Sequence, residues 1–109
     1  MMRALALCGA VALTACAQAT ETADDLARRS AKAAVEKTLV TRFPAVPSAA
    51  VTPFSDCVID NSDLRELRSF AQDAVTGIDD ATVALVTTVL ERPETQQCIA
   101  RAGLSVLAA

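Results

Sequence analysis

Residues 57–98, CVIDNSDLRELRSFAQDAVTGIDDATVALVTTVLERPETQQC, decide the fold. Leu64, Leu67, Phe70, Ala71, Ala74, Val75 and Ile78 recur with the three-, four- and seven-residue spacing of a core-facing helix. Ser62 or Asp63 is placed to accept from the free amides at its start, and Asp63 with Glu66 has capping-box spacing. Gly77 supplies a left-handed stop, and Asp79-Asp80 open the next helix after a very short turn. Ala81–Glu91 (ATVALVTTVLE) is rich in β-branched residues, as a strand would be. The capping pair in front, Val83, Val86 and Leu90 with Leu85 and Val89 alongside, and Pro93 behind predict a helix instead. Pro93 then suits the first position of a last helix over 94–102, ended by Gly103, with Cys98 and Ile99 facing inward. The apolar tail 104–109 either packs on the core or frays.

Outward from that stretch, 43–54 contains Pro44, Pro47 and Pro53, which resist the interior of a helix and bias their predecessors toward extended backbone. The expectation is a proline-rich connector, held against the helices by Val46, Val51 and Phe54. Before it, 20–41 is alanine-rich, with Ala27, Ala31, Val35 and Leu39 four apart and Leu26 and Val40 beside them, and reads as an amphipathic helix. Asp24 with Arg28 and Asp25 with Arg29 stand in the favourable acid-before-base order. Arg28, Arg29, Lys32 and Lys37 are expected on a solvated face, with anionic lipid headgroups as the alternative contact.

The first nineteen residues read as an export signal: Arg3 near the start, an apolar run from Ala4 to Ala12, then small residues. The apolar stretch up to Cys16 is about 13 residues, short of the roughly 20 that span a bilayer. Leu13-Thr14-Ala15-Cys16 resembles the bacterial lipobox, which implies an acylated Cys16 as the first residue of a lipoprotein. Ala17 in second place lacks the aspartate associated with inner-membrane retention, so the resemblance implies the outer membrane, facing the periplasm. Ala17-Gln18-Ala19 is a competing site for ordinary cleavage, which would release a soluble periplasmic or secreted chain from Thr20. Either route discards Cys8 and leaves Cys57 and Cys98 as one pair in an oxidising compartment, so a structural disulfide is expected between them. It would join the exit of the proline loop to the last helix and close the two intervening helices into a hairpin. A redox pair is the weaker reading, there being no C-x-x-C.

Composition narrows the chemistry. With no histidine, the commonest general base, the usual nucleophile arrangements and most zinc or haem ligation are missing. A net charge of −3 without a basic cluster, and no tyrosine or tryptophan, argue against nucleic acid. Three glycines do not build a phosphate cradle. Asp56, Asp60, Asn61 and Asp63 suggest calcium, but the central glycine and the glutamate at the twelfth position of an EF-hand loop are absent, and capping explains these side chains better. No catalytic, cofactor-binding or metal-binding residue, and no cofactor, is therefore assigned.

The segments Asp56-Cys57-Val58-Ile59-Asp60-Asn61 and Arg92-Pro93-Glu94-Thr95-Gln96-Gln97-Cys98 resemble a group of small exported bacterial proteins of unknown function, some of which carry a succinate dehydrogenase label. The residues such an activity needs are missing: no flavin fingerprint, no iron–sulfur cysteine set and no quinone-site membrane helix. The expectation is an all-α fold over 20–109, a small bundle of three to four helices with a proline-rich packed loop and one disulfide. Two functions fit it. One is a non-catalytic cell-envelope interaction module, anchored through lipid at Cys16 and contacting an envelope protein. The other is a periplasmic module that binds a small ligand or lipid in an apolar pocket between helices.

Overall fold

The computed structural model describes the backbone of residues 6–108 and the side chains of 23–106. Among them are five helices and no strand: α1 (Ala6–Arg42), α2 (Ser48–Asp60), α3 (Leu64–Thr76), α4 (Asp80–Leu90) and α5 (Pro93–Ala108). The all-α expectation holds, with five helices in place of three to four.

The added helix comes from the proline segment. Only 43–47 is a connector; α2 starts at Ser48, follows Pro47 as its N-cap, and takes Pro53 into its interior. The ring removes one backbone donor, a defect costing about 3 kcal/mol in a helix interior. The rest of α2 offsets it by burying Ala50, Cys57, Val58 and Ile59. At roughly 1.5–3 kcal/mol for each large buried aliphatic side chain, Val58 and Ile59 alone match or exceed the loss. Two other boundaries also move. Helix α1 begins at Ala6 rather than near Thr20, and α5 continues through Gly103 to Ala108 because its backbone bonding is not interrupted there.

Helix α1 is the spine, packing most extensively on α3 and then on α2. Its buried face is built of small and branched residues, Ala31, Ala34, Val35, Thr38 and Leu39, and the alanines let neighbouring backbones come close. Asp24, Ala27 and Arg28 flank Leu64, Leu67 and Arg68, while Ala33, Ala34 and Lys37 flank Asp73, Ala74, Gly77 and Ile78. Helices α1 and α3 are therefore parallel. Against α2 the pairing runs the other way: Arg28 meets Asp60, Lys32 meets Asp56 and Glu36 meets Thr52, one helical turn per step. Helix α5 lies antiparallel to α2, with Cys57 by Cys98 and Ala49 and Pro53 by Ala102 and Val106. Shorter α4 touches all three of its neighbours α1, α2 and α3, and also the start of α5.

The apolar core joins Ala31, Ala34, Val35 and Leu39 of α1, Val58 and Ile59 of α2, Leu67 and Phe70 of α3, and Val86 and Val89 of α4. Phe70 is its largest fully buried side chain. The periodic face expected of α3 is narrower than its spacing implies, since Leu64 and Val75 point to solvent at 60% and 86% exposure. Five residues separate Val75 from Phe70, which turns it well off the buried stripe. Gly77 ends α3 with φ 104° and ψ 147°, a positive-φ stop that is more extended than the left-handed helical cap.

Candidate functional site

The cysteine-bounded joint gathers the residues that the sequence singled out. Cys57 lies in the last turn of α2 and Cys98 in the second turn of α5, bonded with a Cα–Cα distance of 5.6 Å. The expected disulfide is present; it leaves from a helix rather than from a proline loop, and α3 and α4 lie within its span. Cys57 is buried and Cys98 half-buried. Cys16 and the lipobox 13–16 lie outside the residues whose side chains are described.

The oxygen-rich run 56–63 is dispersed among structural partners. Asp56 accepts from Lys32 at 2.7 Å and Asp60 from Arg28 at 3.0 Å. The Asn61 side-chain amide donates to the Cys57 carbonyl, and the Ser62 hydroxyl to that of Val58. Asp63 forms the capping box with Glu66: its side chain accepts from the Glu66 amide at 2.8 Å, and Glu66 Oε1 accepts from the Asp63 amide at 2.9 Å. Among the described residues no group of three or more acidic or thiol side chains is arranged to hold a metal. Arg28 pairs with Asp60 on α2; Arg28, Arg29 and Lys37 lie on a solvated face as expected, while Lys32 is partly buried and bridges to α2. Asp56 holds the Lys32 ammonium above the usual lysine range, chiefly through their hydrogen bond and against partial burial.

Arg92 is the residue that sequence reasoning missed. Its guanidinium donates twice to Glu66, at 2.8 and 2.7 Å, and once to the Asn61 carbonyl at 2.7 Å. One side chain thereby ties the end of α2, the start of α3 and the α4–α5 corner. The fork geometry of arginine suits this bidentate grip. Glu66 is 9% exposed, and the Arg92 hydrogen bond holds its carboxyl below the ordinary range, opposed by burial and aided by the Asp63 amide. Arg92 is raised in turn by Glu66. The available signal was indirect: Glu66 is the third residue of a capped helix, a place where carboxylates gather, but its cation lies 26 positions on.

At the other end of the α3–α4 hairpin Asp79 caps α4. Its carboxylate accepts from the Thr82 amide at 3.1 Å and its own amide donates to the Thr82 hydroxyl. The Thr82 amide bond lowers the Asp79 carboxyl below its ordinary value. Thr82 also donates to Asp73 at 2.8 Å, so a threonine takes the place of the usual glutamate and links the cap to α3. Among the described residues Asp80 pairs with Arg42 alone, at 3.4 Å, and is nearly fully exposed. Two hydroxyls stay buried without a partner among the described residues, those of Ser55 in α2 and Thr95 in α5.

The clefts between helices open to solvent. One of about 290 Å³ lies at the α1–α3 seam beside Leu64 and Arg68, and an apolar groove of about 400 Å³ runs between Ala49 and Pro53 of α2 and Ala102, Ser105 and Val106 of α5. No helix among the described residues is long and apolar enough to cross a membrane. Compared with protein-family models, with curated proteins and with solved structures, the chain matches none.

Proposed function

We propose that this chain is a non-catalytic module of the bacterial cell envelope, exported by an N-terminal leader that ends before Cys16, held at the outer membrane through lipid on Cys16, and acting by contact with another envelope protein. The observation that carries this reading is a filled core beside unsheltered aliphatic side chains. Phe70, Leu39, Val35, Val58, Val86 and Val89 are fully buried, while Leu26 and Val40 on α1 and Leu64 and Val75 on α3 are exposed. Leu26 and Val40 stand fourteen residues apart and Leu64 and Val75 eleven, near-whole numbers of turns, so each pair shares one side of its helix. Aliphatic side chains aligned on one side of a helix give a partner a surface to cover. Arg28, Lys32, Asp63, Glu66, Asp79 and Arg92, by contrast, serve caps and helix-to-helix pairs. A disulfide is compatible with an oxidising compartment.

Mass spectrometry of the protein from membranes is expected to find a diacylglyceryl-modified Cys16 as its first residue; an unmodified terminus at Thr20 removes the anchor. A photo-crosslinker placed at Leu64 or Val75 in the lipidated protein is expected to trap an envelope protein, and one at Glu94 is not. Absence of adducts from both α3 positions would sink the contact reading.

The groove between α2 and α5 favours a second reading, a module that takes a lipid or other small apolar ligand. Saturable binding of a fluorescent fatty acid, abolished by Ala102→Trp, is the result expected of it.

A further inference from the structure

We propose that α5 is a redox-released arm: two-electron reduction of Cys57–Cys98 by a dithiol undocks it from α2 while α1 to α4 stay assembled. The division of the core points there. Among the described residues, every member of the apolar cluster and every partly buried side chain packed on it comes from α1 to α4, the 43–47 connector or the α3–α4 turn; α5 supplies none. Helix α5 rests chiefly on α2, with slight contact to α4, and its covalent link is at Cys98, in its second turn. Past that link the contact is the open groove of Ala49, Pro53, Ala102 and Val106, and Leu104 is exposed.

The docked arrangement also carries a cost. Thr95 is fully buried on α5 and its hydroxyl has no partner among the described residues, a loss of hydration that undocking restores. The root of the arm is fixed independently of the sulfurs, because Arg92 grips Glu66 and Asn61 just before Pro93. The arm therefore moves about a fixed corner and does not drag α3 and α4 with it. A lone helix of this length is marginal in water, so the released segment loses its helical protection.

The step balances. One thiolate of the dithiol attacks Sγ of half-buried Cys98, forming a mixed disulfide and expelling the Cys57 thiolate, which takes up a proton. The second dithiol sulfur, losing its proton, displaces Cys98 Sγ, which is protonated in turn. The dithiol leaves as a disulfide, and two electrons and two protons pass to Cys57 and Cys98. What is uncovered is the α2 surface of Ala49 and Pro53 and the facing side of α5 with Ala102 and Val106. This release does not depend on lipidation or on any partner.

The test is amide hydrogen exchange on the folded protein with and without dithiothreitol. In the reduced protein the amides of 99–106 should exchange within tenfold of an unstructured chain, and those of 31–39 and 67–74 at least a hundredfold slower than one. The double variant Cys57→Ser/Cys98→Ser should match the reduced pattern without reductant. An α5 that stays as protected as the core overturns the proposal, and so does joint loss of protection in all three segments.

Discussion

Glu66 and Arg92 form the joint on which α2, α3 and the α4–α5 corner meet, and the pH behaviour of the pair follows from the hydrogen bonds between them. Glu66 titrates below its ordinary value in the folded protein, mainly because Arg92 donates to it. Its contribution to stability is thus fully present above the unfolded carboxylate value of about 4.5 and is lost as pH falls through the folded value. Thermal unfolding from pH 7 to pH 3 should show the native chain losing more stability than Glu66→Gln, the two curves converging at the acid end. Arg92→Ala leaves a nearly buried carboxylate without its cation and the Asn61 carbonyl without its donor. Partial exposure of Arg92, at 33% of its side chain, moderates the usual loss for a broken buried pair to about 2 kcal/mol. Urea unfolding of the variant measures it; a change under about 0.5 kcal/mol would mean that the pair is ornamental, as exposed ion pairs often are.

At the scale of helices, the stops and starts are local chemistry and were legible as such. Asp63 and Glu66 announce α3 three residues apart, and Asp79 announces α4, because a cap is a contact between near neighbours in the chain. Gly77 adopts a φ of 104° with open space around its Cα. Gly77→Ala therefore meets no steric neighbour, and its cost is backbone strain alone, about 1–3 kcal/mol by chemical denaturation. Helix α2 was not legible. Three prolines in the ten residues 44–53 point to irregular backbone, and the burial of Val58 and Ile59 against three other helices overrides that preference. Because Pro53 removes a donor inside α2, Pro53→Ala is expected to raise stability by about 1 kcal/mol, the regained bond exceeding the greater freedom of the unfolded chain. A lower denaturation midpoint would instead make the pyrrolidine ring's packing in the α2–α5 groove the larger effect. The extension of α5 past Gly103 escaped the sequence for the opposite reason: a glycine permits a stop without imposing one.

Across the whole molecule, sequence reading found the staple and the periodic helices but not the contacts that fix one helix on another. Arg28 to Asp60 and Arg92 to Glu66 join residues 32 and 26 apart, and nothing in local spacing selects those partners over the other acids nearby. The disulfide was open to inference only because so few cysteines remain after the leader. It closes a span of 41 residues, which contributes about 4 kcal/mol in the chain-entropy account, a large share of a typical domain's 5–15. Cys57→Ala/Cys98→Ala should lower the guanidinium unfolding free energy by about that amount, and a loss under 1 kcal/mol would contradict the entropic account. The parallel alignment of α1 and α3 bears on the order of assembly. Helices α1 and α2 pair across sixteen to thirty-two positions and α3 with α4 across nine, whereas α1 meets α3 across about forty, with α2 lying between them in the chain. The α1–α2 pair and the capped α3–α4 turn can thus form early and separately, and the slow step is their docking along the alanine face of α1. Substitutions at Ala31 or Ala34 should therefore retard folding, while those in the Asp79 cap should chiefly hasten unfolding.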